Sequence, residues 1–193
     1  KGKARAIRKN TSYLMENSEE ALRLELKTDP EAVRSQAIWC GVQPGMHVLD
    51  AGCGPGKVTS VLWEMLKPGG RIMGVDYSEE RLQYAKKHYE NPSGIEFRFH
   101  DLRHPLDEMG PFDLIWVRFV LEYNRIESFE IIRNVDAVLK PGGSLCLLDL
   151  DYNCLSHFPL PADMERILFE LMRLLETRFN FDAYAGRKLY SYL

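Results

Sequence analysis

Residues 48–59 read VLDAGCGPGKVT. They begin inside the short apolar run Met46–Asp50, which Pro44-Gly45 precedes and glycines follow, and this pattern predicts a buried strand. The glycines let the backbone turn tightly and let a ligand approach without clashing against Cβ atoms. The helix expected next offers unpaired N–H groups and the positive end of its dipole. Its apolar residues recur at i, i+3, i+4, i+7 and i+8: Val58, Val61, Leu62, Met65 and Leu66.

The same alternation of strand and helix continues along the chain. Ser78 is a suitable N-cap for the helix after the second strand, and the last of these helices is expected to stop at Pro141-Gly142-Gly143. Strands alternating with helices predict an α/β fold, a Rossmann-like parallel sheet with helices on both faces. Four further strands bring the expected number to five: Arg71–Asp76, Ile95–Phe99, Phe112–Val117 and Ser144–Leu150.

Three segments are expected from this pattern. Residues 1–40 form an N-terminal arm and helices, with a helix boundary at Thr28-Asp29-Pro30, and residues 41–151 form the Rossmann-like core. Residues 152–193 form a helical lid on the substrate side. We interpret the apolar stripe from Met164 to Leu175 as the packed face of this lid, in preference to a membrane helix or a partner-binding helix.

Composition limits the class of protein. The 193 residues are 45% apolar and 27% charged, with a net charge of −3, which is typical of a globular domain and gives no overall nucleic-acid signal. No apolar stretch reaches the ~18–20 residues of a membrane span. The first nine residues, KGKARAIRK, carry five positive charges, which we interpret as a solvated tail, with RNA or another polyanion as the alternative. Four cysteines at positions 40, 53, 146 and 154, without a metal or redox spacing, predict no metal site and a reducing cytoplasm.

A nucleoside is the ligand that the motif indicates. Asp76 ends the second strand 20 residues after Gly56, where an acidic side chain can accept hydrogen bonds from both ribose hydroxyls. The alternative for Asp76 is a capping role before the next helix. The dinucleotide fingerprint G-x-G-x-x-G fails in both registers, because Lys57 and Thr59 stand where the third glycine would be.

At this point the sequence resembles a known family. VLDAGCGPGKVT is similar to motif I of class I S-adenosylmethionine-dependent methyltransferases, and the ubiquinone/menaquinone-methyltransferase-like group resembles it most. The resemblance covers roughly residues 46–150, with all elements in the family's order. Four further segments carry it: GVDYS at 74–78, HDL at 100–102, FDLIWVR at 112–118 and LKPGG at 139–143.

The resemblance implies S-adenosyl-L-methionine as cofactor, with S-adenosyl-L-homocysteine as product. Asp50 would hold the loop or the amino acid moiety, Gly52, Cys53 and Gly54 would form the loop against the cofactor, and Asp76 would bind the ribose. Tyr77 would flank the adenine, which Asp101 and Leu102 would recognise. Arg118 and Phe119 would contact the methionyl part. Tyr13 would close over the methionine end, with a packed surface tyrosine as the alternative.

The methyl acceptor is less defined by the sequence, and no catalytic residue is assigned. Arg118 is expected to pair either with a carboxylate of cofactor or acceptor or with Glu122 one helical turn on. His157 and Asp151 are a candidate pair of base and orienting group. Candidate bases near the expected acceptor mouth are Glu122, Tyr123, Asp149, Asp151, Tyr152 and His157.

The leading hypothesis is therefore methyl transfer from S-adenosylmethionine to a small molecule by direct in-line displacement. A nicotinamide-dependent oxidoreductase and a non-catalytic S-adenosylmethionine-binding regulatory module are the alternatives. The resemblance implies seven strands, the last two forming a hairpin beside strand five, so we expect this chain to be a fragment that lacks the hairpin. Contact with another segment or chain would then cover strand five.

Overall fold

The computed structural model describes residues 19–155 and 157–193. In chain order the elements are α1 (Glu20–Lys27), α2 (Pro30–Trp39), β1 (His47–Ala51), α3 (Lys57–Leu66), β2 (Arg71–Asp76), α4 (Glu79–Tyr89), β3 (Ile95–Phe99), β4 (Phe112–Arg118), α5 (Ser128–Asp136), β5 (Leu139–Leu148), α6 (Ala162–Arg178) and α7 (Ala185–Tyr192). Short 3₁₀ turns occupy Leu121–Tyr123 and Tyr152–Leu155.

The strands form one parallel sheet in the order β3-β2-β1-β4-β5, and the predicted fold class is confirmed. β1 lies at the centre, and the chain builds the sheet outward from it first through β2 and then, after crossing back, through β4. Ligands of open α/β sheets bind beyond the carboxyl ends of the strands at such a reversal. Ala51 pairs with Val75 on one side and Val117 on the other. The next residue of each strand, Gly52, Asp76 or Arg118, therefore lies at the same level of the sheet.

Apolar side chains cover both faces of the sheet, as expected for a parallel sheet between helices. On one face, Trp116 of β4 packs with residues of α2, α3 and α4 such as Val33, Leu62 and Ala85. On the other face, Ile115 packs with α5 residues such as Ile131. Burial of each large apolar side chain contributes about 1.5–3 kcal/mol, so these two layers supply most of the stabilisation that holds the strand ends in place.

The predicted element boundaries are accurate where glycine and proline end the pattern. The predicted bounds of β2 and β3 are confirmed, whereas β1 begins and ends one residue later than expected and β4 ends one residue later. β5 begins at Leu139, five residues before the expected Ser144, because the Pro-Gly-Gly segment joins the strand through an irregularity in its pairing with β4. Gly143 permits this close approach, since a Cβ there would lie 2.9 Å from the carbonyl oxygen of Asp113.

Two predicted helix starts are confirmed by side-chain caps. Asp29 accepts the N–H of Glu31 at 2.9 Å and separates α1 from α2. The hydroxyl of Ser78 accepts the N–H of Arg81 at 3.4 Å at the start of α4. Each cap satisfies a backbone donor that the helix itself leaves without a partner.

The segment after β5 is helical but only partly packed. Most of α6 is exposed, and its buried residue Met172 contacts Phe181. α7 returns to the sheet, where the N–H of Gly186 donates to the carbonyl oxygen of Leu150 at 2.8 Å. β5 pairs with β4 and is one of the two edge strands of the sheet that the described residues form, the other being β3. In that same part of the chain, no helix combines the length and the apolar character needed to cross a membrane. The expectation of a missing hairpin stays a prediction.

Candidate functional site

The glycine loop is anchored to the end of β2. The N–H groups of Gly52 and Cys53 donate to the carbonyl oxygen of Val75 at 2.8 and 2.9 Å. Gly52 has φ +87°, a conformation that side chains with a Cβ rarely adopt, and a Cβ there would lie 2.4 Å from Val120 Cγ2. Gly54 and Gly56 also have positive φ angles, so the backbone conformation at all three positions depends on glycine.

Asp76 links this loop to α4. Its Oδ2 accepts the N–H of Gly54 at 2.9 Å, and its Oδ1 accepts the N–H of Ser78 at 2.9 Å and the guanidinium of Arg81 at 3.0 Å. The side chains of Asp76 and Arg81 are each 7% exposed. Ser78 caps α4, whereas Asp76 holds the N–H of Ser78 and forms a buried ion pair with Arg81 that the sequence did not indicate.

Asp50 lies beneath the loop and is buried. The hydroxyl of Thr59, in the first turn of α3, donates to Asp50 Oδ2 at 2.6 Å. Burial raises the pKa of Asp50 to about 7, and the Thr59 hydrogen bond and the positive charge of Arg118 oppose this rise. Burial also raises the pKa of the Cys53 thiol, so this cysteine is an uncharged side chain that packs inside the loop.

Arg118 leaves β4 toward α2 and does not pair with Glu122. Its Nε donates to Gln36 Oε1 at 3.3 Å, and its guanidinium lies over the Phe119 ring at 4.1 Å. Burial lowers the pKa of Arg118, and the charge of Asp50 opposes this effect. Its terminal nitrogens can therefore still bind a carboxylate of a ligand, which is the first of the two predictions for Arg118.

The backbone of Phe119 turns sharply after β4. Phe119 has φ +56°, and its N–H donates to the carbonyl oxygen of Leu148 at 2.9 Å. A non-glycine residue in this region of backbone conformation carries strain that the surrounding structure must compensate. This turn places Val120 against Gly52 and thereby joins the β4 exit to the glycine loop.

The residues predicted after β2 and β3 lie at the neighbouring strand ends. Tyr77 is 38% exposed and stacks with the guanidinium of Arg81, 5.3 Å from the ring centre. Asp101 binds Arg103 through two oxygens, at 2.6 Å to Nη2 and 2.8 Å to Nε, and this hydrogen bonding lowers the pKa of Asp101. Leu102 is buried, and its carbonyl oxygen accepts Asn134 Nδ2 at 3.0 Å.

α1 lies against the outer side of the glycine loop. Leu24 Cδ1 would lie 3.8 Å from a Cβ at Gly54. Glu25 pairs with Lys57 at 3.1 Å and accepts the hydroxyl hydrogen of Tyr89 at 2.5 Å. These contacts hold α1 against the start of α3 and the end of α4. The prediction that Tyr13 closes over the site lies outside the described residues.

Two carboxyl groups follow β4 and β5: Glu122 is buried and Asp149 is half-buried. Asp149 Oδ2 accepts the N–H groups of Leu121 and Glu122 at 2.9 and 3.3 Å and so holds the 3₁₀ turn. Burial, reinforced by Asp149, raises the pKa of Glu122 to about 7, while a hydrogen bond with Tyr123 opposes the rise. Burial raises the pKa of Asp149 to about 6. Glu122 Oε2 is buried with no hydrogen-bond partner among the described residues.

The remaining candidate bases are engaged or remote from one another. Asp151 binds Arg187 through both oxygens, at 2.6 and 2.8 Å, and this bond lowers the pKa of Asp151. The predicted pair of Asp151 with His157 is therefore replaced by an ion pair to α7, and His157 is exposed. Tyr152 packs edge-on against Phe181, with ring centres 5.4 Å apart.

Three contributors to the site escaped the sequence-based prediction: Thr59, Arg81 and Gln36. Each is a polar side chain on a helix that turns toward the sheet. Thr59 and Arg81 each lie in the first turn of the helix that follows a predicted strand. A polar residue at that position can face the strand end, so its place in the sequence could have indicated a contribution to the site. Gln36 lies 82 residues from Arg118 in the sequence, and no local pattern indicates their contact.

The strand order and the glycine loop together define an open α/β fold of the nucleoside-binding class, with its site at the carboxyl ends of β1, β2 and β4. Residues 42–186 match the model of a family described as a methyltransferase domain, and the chain belongs to this family. The resemblance seen in the sequence is thereby confirmed.

Individual proteins similar to this chain are also named as methyltransferases. The chain is 32% identical over 119 residues to demethylmenaquinone methyltransferase of Lactococcus lactis and 34% identical over 110 residues to ubiquinone biosynthesis O-methyltransferase of Coxiella burnetii. These matches cover 61% and 56% of this chain but only 45% of each relative. The fold also resembles a SAM-dependent methyltransferase from Aquifex aeolicus, with a TM-score of 0.57 at 22% identity over 84% of this chain and 88% of that one.

Proposed function

We propose that the chain binds S-adenosyl-L-methionine across the carboxyl ends of β1 to β4 and transfers its methyl group to a small molecule. One observation carries this proposal. Because Ala51 pairs with both Val75 and Val117, the next residues along the three strands, Gly52, Asp76 and Arg118, start from one level of the sheet. The glycine-lined backbone, a carboxylate and a guanidinium then lie where one ligand can contact all three.

The chemistry of these groups fits the parts of the cofactor. Asp76 and Asp101 offer carboxylate oxygens that can accept hydroxyl and amine hydrogens of the adenosine. Tyr77 is exposed beside Asp76, where its ring can flank the adenine, and Leu102 supplies an apolar surface next to Asp101. The terminal nitrogens of Arg118 can bind the methionyl carboxylate in the two-pronged geometry that guanidinium groups favour. Phe119, under this guanidinium, supports its orientation.

The glycine loop contributes to cofactor binding through its shape more than through its charge. Gly52, Cys53 and Gly54 bring backbone close to the ligand, and the pKa of Asp50 near 7 leaves this side chain partly neutral beneath them. We assign Asp50 to holding the loop through Thr59, with S-adenosyl-L-homocysteine leaving the same cradle as the product.

The sulfonium donor brings an already activated methyl group whose leaving group is a neutral thioether. The task left to the protein is to align the acceptor with the methyl carbon and to exclude water. The turn at Phe119 and the neighbouring carboxyl groups Glu122 and Asp149 lie on the side of β4 and β5, where we place the acceptor. A small-molecule acceptor agrees with the quinone-pathway names of the two curated relatives.

The wider assignment follows from the same reasoning. We propose a cytoplasmic enzyme, because Cys40, Cys53 and Cys146 are free thiols. We assign no role to nucleic acid, and we retain residues 41–151 as the cofactor-binding core with residues 152–193 as the substrate-side lid. A contact covering β5 also stays part of the proposal.

Isothermal titration with S-adenosylmethionine and S-adenosylhomocysteine tests the cofactor assignment. We expect binding of both, and we expect Arg118→Met to weaken S-adenosylmethionine by roughly tenfold, which is about 1.4 kcal/mol. Arg98→Met is the matched control, because Arg98 is half-exposed and pairs with Glu96 on β3 away from the β4 exit. Binding of NADH in place of S-adenosylmethionine would refute the assignment.

Transfer itself needs a separate measurement. The chain is incubated with donor labelled in the methyl group and a panel of small phenols, quinols, amines and thiols, and labelled product is separated from the donor. Label transferred to one acceptor class supports the enzyme. Tight cofactor binding without transfer to any class would instead favour the non-catalytic binding module.

A further inference from the structure

Two cysteines from distant parts of the chain meet on one face of the sheet. Cys40 caps the C-terminal end of α2, and Cys146 lies in β5, 106 positions later. Cys146 Sγ donates to the carbonyl oxygen of Cys40 at 3.8 Å, so the Cys146 thiol lies directly against the backbone of Cys40. Both residues belong to the apolar cluster that packs α2 against the sheet.

The two thiols differ in exposure, which gives each a distinct chemical role. Cys40 is half-buried and has contact with solvent, whereas Cys146 is 7% exposed. Burial and the neighbouring Cys40 raise the pKa of Cys146, so the thiolate that starts the exchange is assigned to Cys40, the more exposed of the two. Cys53 differs from both, since it is buried in the glycine loop and its thiol contacts the carbonyl oxygen of Gly54.

We propose that Cys40 and Cys146 form a reversible disulfide, with Cys40 as the attacking thiol and Cys146 as the resolving thiol, when the protein meets a small-molecule disulfide oxidant. The Cys40 thiolate attacks one sulfur of the oxidant, forms a mixed disulfide and releases one small thiol. The sulfur of Cys146 then attacks the Cys40 sulfur, its proton passes to water, and the second small thiol leaves. Two protein thiols are oxidised and one small disulfide is reduced to two thiols.

The bond would tie α2 to β5. α2 also supplies Gln36, one helical turn before Cys40, and the side chain of Gln36 accepts Arg118 at 3.3 Å. Cys146 pairs in the sheet with Trp116, two residues before Arg118. The disulfide would therefore link α2 covalently to β5 on both sides of Arg118, the residue assigned to the methionyl carboxylate. It would restrict movement of α2, the helix that supports Arg118 through Gln36.

Oxidation of the purified chain with glutathione disulfide tests the proposal. After the remaining thiols are blocked with an alkylating reagent under denaturing conditions, peptide mapping is expected to find residues 40 and 146 in one disulfide-linked peptide pair and Cys53 alkylated. Cys146→Ser is expected to retain one glutathione on Cys40, because the resolving thiol is absent. Cys40→Ser is expected to acquire neither the glutathione nor the disulfide at position 146, because Cys146 is buried.

The structural effect has its own readout. The oxidised wild-type chain should unfold at higher urea concentration than the reduced chain, because the cross-link constrains the unfolded state across a long loop. Amide hydrogen exchange in α2 should slow, and dithiothreitol should reverse both changes. Wild-type protein that keeps glutathione on Cys40 or links Cys146 to another cysteine overturns the proposal, as does oxidation that leaves α2 exchange unchanged. These measurements use no cofactor, so their outcome is independent of the methyltransferase assignment.

Discussion

The carboxylate of Asp76 and the guanidinium of Arg81 pair at 3.0 Å, with both side chains 7% exposed. The same carboxylate accepts the N–H of Gly54, so the ion pair also fixes the glycine loop. Breaking a buried pair by removing one partner leaves an uncompensated charge and typically costs about 3–5 kcal/mol. Asp76 therefore supports the fold as well as the site assigned to it.

We expect Asp76→Asn to lower the free energy of unfolding by about 3 kcal/mol, because Arg81 stays buried without its counter-charge. Urea denaturation followed by circular dichroism measures the change. The double variant Asp76→Asn/Arg81→Met should be more stable than Asp76→Asn, since it removes the unpaired charge. A double variant that is less stable by the sum of both single losses contradicts the coupling.

Glu122 should make stability depend on pH. Its native pKa of about 7 lies above the ordinary value of 4.5, so the native state binds more protons than the unfolded state between these values. The stabilisation is complete below pH 4.5 and is lost as pH rises through 7. Glu122→Gln should therefore gain stability relative to wild type between pH 5 and pH 8, by up to roughly 3 kcal/mol.

Urea midpoints across this pH range test the effect. Glu130→Gln is the control, because Glu130 is 46% exposed and pairs with Arg133 at the surface. Its stability should follow that of the wild type at each pH. The Glu122 prediction fails if the difference between Glu122→Gln and wild type is the same at pH 5 and pH 8.

Thr59 should control the ionisation of Asp50. Thr59→Val keeps the shape of the side chain but removes the hydroxyl that donates at 2.6 Å, and this hydrogen bond lowers the pKa of Asp50. The variant should raise the pKa of Asp50 further above 7 and cost about 1–3 kcal/mol of stability. NMR titration of the aspartate side-chain carbons measures the pKa. Thr59→Ser retains the hydroxyl and should stay near the wild-type value.

Gly52 carries two constraints that a pair of variants can separate. Gly52→Ala places a Cβ 2.4 Å from Val120 at φ +87°, whereas Gly41→Ala has a similar φ of +83° and open space around it. Both should lose roughly 1 kcal/mol or more through backbone strain, and Gly52→Ala should lose clearly more through the clash. Thermal unfolding of the two variants gives the comparison. Equal losses would mean that Val120 moves aside at no cost.

Particular residues explain which helix and strand boundaries could be predicted from the sequence. β2 and β3 were predictable because glycine, proline or charged residues end each apolar run, and Ser78 was predictable because a cap needs only its own helix. The expected helix end at Pro141-Gly142-Gly143 is wrong: α5 ends at Asp136 and β5 begins at Leu139, because the pairing of this segment depends on the geometry of Asp113 in the neighbouring strand. Local patterns carry no information about such a register shift.

The site divides in the same way. Asp50, Asp76 and Asp101 are assigned to the site from their place at strand ends, and this assignment stays a prediction. The partners that determine their charge, such as Thr59 and Arg81, depend on helix rotation and burial. Arg118 contacts Gln36 from a helix far away in the sequence, and Asp151 contacts Arg187 in place of His157, because tertiary packing decided between polar partners that the sequence presents equally.

The central position of β1 has a consequence for how such a protein can change. The strand ends assigned to the adenosine lie on the β2–β3 side, and the carboxyl groups assigned to the acceptor side, Glu122 and Asp149, follow β4 and β5. The two halves of the sheet meet at the pairing of β1 with β4. Under the proposed assignment, substitutions beyond β4 would alter acceptor preference while the donor half keeps its architecture, so the two selectivities could be evolved separately.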